Sequence, residues 1–290
     1  MATHHFSRGL LALLGAATVA SFAATPSRDA GRVDVSYLVA PSVISLRGPV
    51  LLRLSVKNQL AEPIKLRLGR DRKENFSFTL QRPDGTSNKL SPLPLREGLF
   101  DRGNITLESG EHVEQQLVLN EWTTFSVPGT YQLEVRLLVP IETASGVQVH
   151  TNPYHATFQI APYNQSMLVN ACEELTQQIE HSVSAREARD AALALAHVDD
   201  ELVVPYLKRA LDSGKYVDDL IMKGLERVGN QESAQVLIAI LGKSQGPTLD
   251  VNSAASSRTI RARQTLQAIE RSTSDEHLRH EIRRALADDS

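Results

Sequence analysis

The sequence predicts a multidomain β + α chain, in which an antiparallel β-sandwich is followed by a short stack of helical hairpins. Apolar residues recur with a period of two from residue 33 to about 160, and with helical spacing from residue 166 onward. Four apolar positions of the second half return at fixed offsets, which indicates an internal repeat. The chain has 290 residues, 41% hydrophobic and 22% charged, enough for two folded domains.

The segment 1–24 has the pattern of a signal peptide. Arg8 precedes an apolar run over 10–20, and Ser21-Phe22-Ala23 places small residues at the cleavage position. We expect cleavage after Ala23 or Ala24, an uncleaved anchor being the alternative. We predict a linker over 25–32. The signal peptide predicts export, and the lone cysteine, Cys172, cannot form an internal disulfide. Export without disulfides fits a bacterial protein, which we expect to be periplasmic or secreted.

Residues 33–162 form the predicted sandwich. Leu52, Leu54 and Val56 alternate with polar residues, as a half-buried strand requires. At least five further runs behave alike, with turns such as Pro83-Asp84-Gly85 between them.

The string FSVPGTYQLEV resembles the Pro-Gly-x-Tyr turn of immunoglobulin-like (Ig-like) domains, in which the hydroxyl of the tyrosine, here Tyr131, ties the corner. LSVKN, NFSFTLQRPDGTS and LESGEHVEQQLVLNEW follow the order found in the bacterial proteinase-inhibitor family typified by BsuPI. The resemblance covers residues 50–138 and implies an Ig-like fold. It also implies proteinase inhibition, although no reactive-loop residue matches.

The second half repeats itself. Its apolar positions recur at an offset of 30 and again at a further offset of 41, the difference being a loop insertion over 244–257. The recurring positions are Leu195, Val198, Leu207 and Leu211, then Leu225, Val228, Leu237 and Leu241, then Leu266, Ile269, Leu278 and Ile282. We predict a capping helix in 163–184 and three two-helix units in 185–290, which must stack to bury their apolar faces. The predicted helix pairs are 185–197 with 200–211, 217–228 with 232–242, and 258–271 with 275–287.

The string LERVGNQESAQVLIAIL resembles HEAT-like repeats of the short bacterial kind, including those named after phycobilisome lyases. The resemblance implies a short right-handed α-solenoid that serves as a recognition scaffold. It implies no lyase activity.

Catalytic signatures are missing from the sequence. It contains no Gly-x-Ser-x-Gly elbow, no phosphate-binding glycine loop and no paired cysteine and histidine. His277 and His280 lack a third metal ligand, and we expect Asp199-Asp200 and Asp218-Asp219 to cap helices. We therefore predict no cofactor, no metal and no enzyme activity. The net charge of −3 argues against a nucleic-acid partner.

Several residues are predicted to bind another protein. Arginine is concentrated in the last repeat, and the candidates there are Arg258, Arg261, Arg279 and Arg283. The alternative is an ordinary charged surface with Glu270, Glu276 and Glu281 as ion-pair partners. Trp122 is a further candidate if exposed, although it can instead cap the sandwich core. The loop 91–103 is a candidate binding loop, the alternative being a lid over the edge of the core.

The leading functional prediction is an exported, non-enzymatic protein–protein interaction or scaffold protein. The first alternative is a proteinase inhibitor that acts through the sandwich. The second is an enzyme with a site between the domains, which requires polar residues to converge in a cleft there.

Overall fold

A computed structural model describes residues 33–68, 75–90, 104–243 and 254–288. The predicted signal peptide, the linker, the loop 91–103 and most of the insertion 244–257 lie outside the described residues. In the described ranges no helix combines the length and the apolarity that crossing a membrane requires.

The N-terminal part is rich in β-sheet, as predicted. Its strands within the described residues are β1 (Val33–Val39), β2 (Val43–Ser45), β3 (Leu51–Asn58), β4 (Ile64–Arg67), β5 (Phe76–Gln81), β6 (Ser87–Leu90), β7 (Asn104–Leu107), β8 (His112–Val118), β9 (Gly129–Leu137), β10 (Ile141–Thr143), β11 (Gln148–Val149) and β12 (Tyr154–Ala161).

These strands form three sheets, in the orders β1-β3-β8, β11-β10-β4-β7 and β2-β12-β9-β5-β6. The prediction of a wholly antiparallel fold is corrected at one pair, since β2 and β12 run parallel. The strands β1 and β2 are consecutive in the chain but lie in different sheets, and the chain crosses between them at the cis peptide Ala40–Pro41.

The period-two alternation is confirmed in β3, where Leu52, Leu54 and Val56 are fully buried. The predicted tyrosine corner is also observed. The Tyr131 hydroxyl donates a hydrogen bond to the Val127 carbonyl at 2.7 Å, and the ring stacks on Phe158. Burying these alternate side chains removes apolar surface from water and holds the sheets together.

The C-terminal part is helical, as predicted. Its helices within the described residues are α1 (Gln165–His181), α2 (Ala185–Ala196), α3 (Val204–Asp212), α4 (Asp218–Val228), α5 (Gln231–Lys243), α6 (Ala254–Ser272) and α7 (Glu276–Asp288). A helix predicted to begin at residue 200 starts instead with a 3-10 turn over Glu201–Val203. Asp200 caps that turn by accepting a hydrogen bond from the Leu202 N–H at 3.0 Å.

The repeated apolar positions form the helical core. All of them are buried except Val228, which packs partly buried against the same core. Contacts run from α1 to α2 and α3, from α2 to α4, and from α4 to α6. At the α2–α4 contact Gly224 lies so close that a Cβ atom there would stand 3.0 Å from the Ala196 Cα.

The two parts share this core. Leu51 of β3 and Val118 of β8 pack in the same cluster as Leu168 of α1. The connection is also polar, because the Asp199 N–H donates to the Arg47 carbonyl at 2.9 Å. The helices therefore cover one end of the outer face of the sheet β1-β3-β8.

Candidate functional site

The floor of the candidate site is the outer face of the sheet β1-β3-β8. Strand register aligns Leu38, Arg53 and Gln116 in one row across the three strands. Aligned neighbours on one sheet face stand about 5 Å apart. The adjacent row, Leu51 with Val118, lies beneath the helices, so the row with Arg53 is at the edge of the covered area.

The wall of the site is α1. Asn164 caps this helix, its side-chain oxygen accepting a hydrogen bond from the Met167 N–H at 3.0 Å. The Asn164 N–H donates to the Ser45 hydroxyl at 2.9 Å, which attaches the start of α1 to β2. The residues of α1 that line the site follow helical spacing, and they are Met167, Leu168, Asn170, Ala171, Glu174, Leu175, Gln178 and His181.

Near the start of α1 the site is apolar. A recess of about 560 Å³ lies between α1 and the crossing from β1 to β2. Leu38 is 55% exposed within it, and Val43 and Met167 also line it. Covering such a water-exposed apolar side chain with a ligand removes apolar surface from water, which favours binding.

Near the end of α1 the site is polar. A second recess of about 660 Å³ lies between the sheet and the turn from α1 to α2, and it includes His112, His181 and Glu114. Two of its three acidic groups, which also include Glu187, have an arginine nearby, since Arg53 stands 4.0 Å from Glu114 and Arg186 stands 3.8 Å from Asp190. The recess therefore combines both signs of charge.

The two recesses adjoin, because Arg53, Gln116 and Gln178 line both. We call the continuous depression the interdomain groove. The Gln116 amide donates to the Asp190 carbonyl at 3.3 Å. Within the part of the chain that the structure describes, the guanidinium of Arg53 and the amide of Gln178 make no hydrogen bond.

A polar contact beside the groove fixes its geometry. The Arg47 guanidinium donates to the Asp200 carboxylate at 3.0 Å and lies over the ring of Tyr163, 5.5 Å from its centroid. The hydrogen bond to Asp200, with the charge of that carboxylate, raises the pKa of Arg47 above its ordinary value. Since Arg47 lies between β2 and β3 and Asp200 precedes α3, this pair joins the two parts.

The arginines predicted to bind a partner make contacts within the chain. Arg258 pairs with Asp218 at 3.2 Å, and Arg261 stands 3.9 Å from Asp219, so these pairs join α6 to α4. Arg189 completes the group with a bidentate contact to Asp219 at 2.7 and 2.9 Å. The prediction that the two aspartates cap a helix is corrected, because their side chains bind arginine from neighbouring helices.

The two aspartates have opposite pKa shifts. Burial raises the pKa of Asp218, against the lowering influence of Arg258. Burial also acts to raise the pKa of Asp219, but the hydrogen bond and charge of Arg189 outweigh it, and the pKa lies below its ordinary value. This cluster of charges therefore has internal partners.

The remaining predicted partner residues are also placed. Arg283 pairs with Glu270 at 2.7 Å and Arg279 with Glu276, as the alternative interpretation of the arginine cluster expected. The prediction that Trp122 contacts a partner is corrected. Its side chain is 3% exposed and packs edge-on against Phe78 in the sheet core, where a partner cannot reach it.

Cys172 is buried, and burial raises the pKa of its thiol to about 12. Within the described ranges, no three side chains of His, Cys, Asp or Glu cluster as metal ligands would.

The groove residues Leu38, Arg53 and Gln178 were missed by the sequence prediction. A usable signal was present, because strict alternation fails at the strand ends that the helices cover. Consecutive apolar residues stand there: Leu51-Leu52 and Leu117-Val118-Leu119. Such runs indicate that both faces of the sheet are buried at that end.

No protein-family model and no curated protein matches the chain. Solved structures similar to part of it include structural-genomics target SoR45, with 12% identity, a TM-score of 0.26 and coverage of 43% of this chain and 83% of that one. The putative ApaA protein of Bordetella pertussis is 11% identical, with a TM-score of 0.27, and the match covers 44% of this chain and 91% of that one. The CARDB domain of the Pyrococcus furiosus protein PF1109 is 15% identical, with a TM-score of 0.24, and the match covers 46% of this chain and 94% of that one. Scores this low carry no functional argument.

Proposed function

We propose that this chain is an exported, non-enzymatic interaction protein that binds a segment of another protein in the interdomain groove. In this proposal the sheets form an Ig-like sandwich and the helices stack as a short right-handed HEAT-like solenoid. The observation that carries the proposal is the groove itself, in which an apolar recess containing the exposed Leu38 continues into a polar recess.

The length of the groove fits a polypeptide. Its wall extends along α1 from Met167 to His181. At the helical rise of about 1.5 Å per residue, this wall is roughly 21 Å long. An extended chain rises about 3.3 Å per residue, so the groove accommodates about six residues of a partner.

The contents of the groove favour binding over catalysis. Leu38, Val43 and Met167 provide apolar contact area, which dominates the energetics of protein interfaces. The carboxylates of Glu114 and Asp190 have arginines within 4.0 Å, as in ordinary surface ion pairs. Charges of both signs give orientation and specificity to a bound chain.

Variants of Leu38 test the proposal. We expect the purified chain to capture a defined protein from the exported fraction of its own cells, and the Leu38→Asp variant to lose that capture. Leu138→Asp is the matched control, because Leu38 and Leu138 are both 55% exposed and Leu138 does not line the groove. If both variants keep the captured protein, or both lose it, the groove is not the binding site.

An enzyme site between the domains is the second candidate, favoured by one observation. Polar side chains converge in a cleft there, including His112, His181 and Glu114. Turnover of chromogenic ester, phosphate or glycoside substrates that is lost in His112→Ala and His181→Ala would support it. The binding proposal predicts no turnover with any of them.

Export and inhibition are tested separately. We expect protein recovered from the periplasm or the medium to begin at residue 24 or 25. For the inhibitor alternative, serine proteinases of several specificities are titrated with the chain, and stoichiometric inhibition would support that activity in place of the proposed one.

A further inference from the structure

We propose that the segment bound in the interdomain groove carries a basic side chain, lysine or arginine, close to an apolar side chain. Glu174 binds the basic group, while Leu38 and Met167 contact the apolar one. The inference rests on the proposed function and adds the chemistry of the partner segment.

The charged residues that line the groove are mainly acidic. Four carboxylates stand against two guanidinium groups, which gives the lining a net charge of −2 when histidine is counted as neutral. These residues are Glu114, Glu174, Glu187 and Asp190, with Arg53 and Arg186. The groove is therefore complementary to a cationic ligand and repels an anionic one.

The four carboxylates differ in the contacts that they already make. Glu114 and Asp190 each have an arginine within 4.0 Å, and Glu187 accepts a hydrogen bond from the Val183 N–H at 3.4 Å. Glu174 is exposed and makes no hydrogen bond or ion pair within the part of the chain that the structure describes. A cation on the ligand therefore binds Glu174 without displacing an internal contact.

Glu174 stands beside the apolar recess, which Leu38 and Met167 also line. Met167 and Glu174 are seven positions apart on α1, about 10 Å along the helix. An extended partner segment covers this distance in about three residues. Gln178, one turn beyond Glu174, lines the same recess, and its amide oxygen can accept a second hydrogen bond from the bound cation.

The position of Glu174 favours a side chain over a chain end as the source of the cation. Glu174 lies midway along the wall of the groove, seven residues from Met167 and seven from His181. A segment that fills the groove therefore presents an internal residue to Glu174. A lysine or arginine also lays its apolar stem along the recess while its charged group reaches the carboxylate.

Peptide selection tests the inference. A displayed library of random heptapeptides, flanked on both sides by constant sequence so that no chain end is offered, is selected on the full chain. Binders that retain affinity for Leu38→Ser are removed, because this change deletes the apolar contact without adding a charge. We expect the remaining peptides to share a lysine or arginine within about three positions of an apolar residue.

Synthetic copies of the selected peptides then provide the decisive measurement. Glu174→Gln should weaken their binding about threefold to tenfold, since it removes one ion pair. Replacing the basic residue of the peptide by glutamine should weaken binding equally, and the two changes together little more, because both remove the same interaction. Glu174→Lys should bind these peptides least and should regain affinity when their basic residue is replaced by glutamate.

Glu226→Gln is the matched control. Glu226 is also exposed within a helix, makes no hydrogen bond or ion pair through its side chain among the described residues, and lies outside the groove. This variant should bind the peptides like the unmodified chain. Equal weakening in Glu226→Gln and Glu174→Gln would overturn the inference, because the effect would then reflect the overall charge of the chain.

Failure of the inference is distinguishable from failure of the proposed function. Peptides that depend on Leu38 but lack a basic residue, or that bind Glu174→Gln with unchanged affinity, would overturn the inference and leave the groove as a binding site. Selection that yields no Leu38-dependent peptide would reject both. Thermal melting of each variant confirms that an altered affinity does not reflect unfolding.

Discussion

Leu168→Ala should destabilise both parts of the chain together. Leu168 is fully buried in the core that α1 shares with Leu51 and Val118, and it also lines the groove. Leucine-to-alanine changes in cores cost about 2–5 kcal/mol. We take about 3 kcal/mol, because the adjoining groove allows the surroundings to relax into part of the cavity. At about 2–4 °C per kcal/mol, Tm should fall by roughly 6–12 °C.

Two spectroscopic probes follow the two parts separately. Trp122 is the only tryptophan and is buried in the sheet core, so its fluorescence follows the sheets. Circular dichroism in the far ultraviolet follows the helices. Both transitions should shift equally in Leu168→Ala, whereas Leu138→Ala, at an exposed position, should change neither by more than about 0.5 kcal/mol. A helical transition that shifts while the Trp122 transition stays in place would refute the shared core.

Three further predictions concern local packing and titration. Gly224→Ala should lower Tm, because overpacking against α2 costs about 1–3 kcal/mol. Gly242→Ala in α5 should instead stabilise the chain by up to about 1 kcal/mol, because no atom lies within 4 Å of the added Cβ and alanine has the higher helix propensity. Thermal melts that rank the two variants in the reverse order would contradict the α2–α4 contact. The hydrogen bond from Arg209, with its charge, lowers the pKa of Glu180 from 4.5, so this stabilisation is present above about pH 4.5 and is lost as pH falls through the lower folded value. Urea titrations should therefore show less acid destabilisation in Arg209→Gln than in the unmodified chain. Burial raises the pKa of the Cys172 thiol from 9.0 to about 12, so this thiol should resist iodoacetamide at pH 8 until the chain unfolds. The free energy of unfolding should decline as pH rises above about 9, because only the thiol of the unfolded chain ionises there. Rapid labelling of the folded chain would show that the thiol is accessible.

The sequence was informative where burial is periodic. Leu52 and Leu54 in the sheets and Leu225 and Leu237 in the helices are fully buried at the predicted spacing. Helix ends were predicted to within a few residues, as for α2, predicted over 185–197 and observed over Ala185–Ala196. Local patterns determine such features because each depends on neighbours a few positions away.

Pairings between distant residues were not predictable in the same way. The sequence pointed to glutamates of the last repeat as partners for its arginines, yet Arg258 pairs with Asp218, which belongs to the preceding repeat. The groove depends on how α1 lies on the sheet, which brings Gln178 beside Arg53 although the two are far apart in the sequence. Neither residue differs from an ordinary surface residue in its local pattern.

The measurement that tests the central claim most directly is site-specific photo-cross-linking in the producing cells. A benzophenone amino acid is placed at position 38 in one strain and at position 138 in another. We expect a protein adduct from position 38 alone. Absence of an adduct at position 38, or the same adducts from both positions, would contradict it.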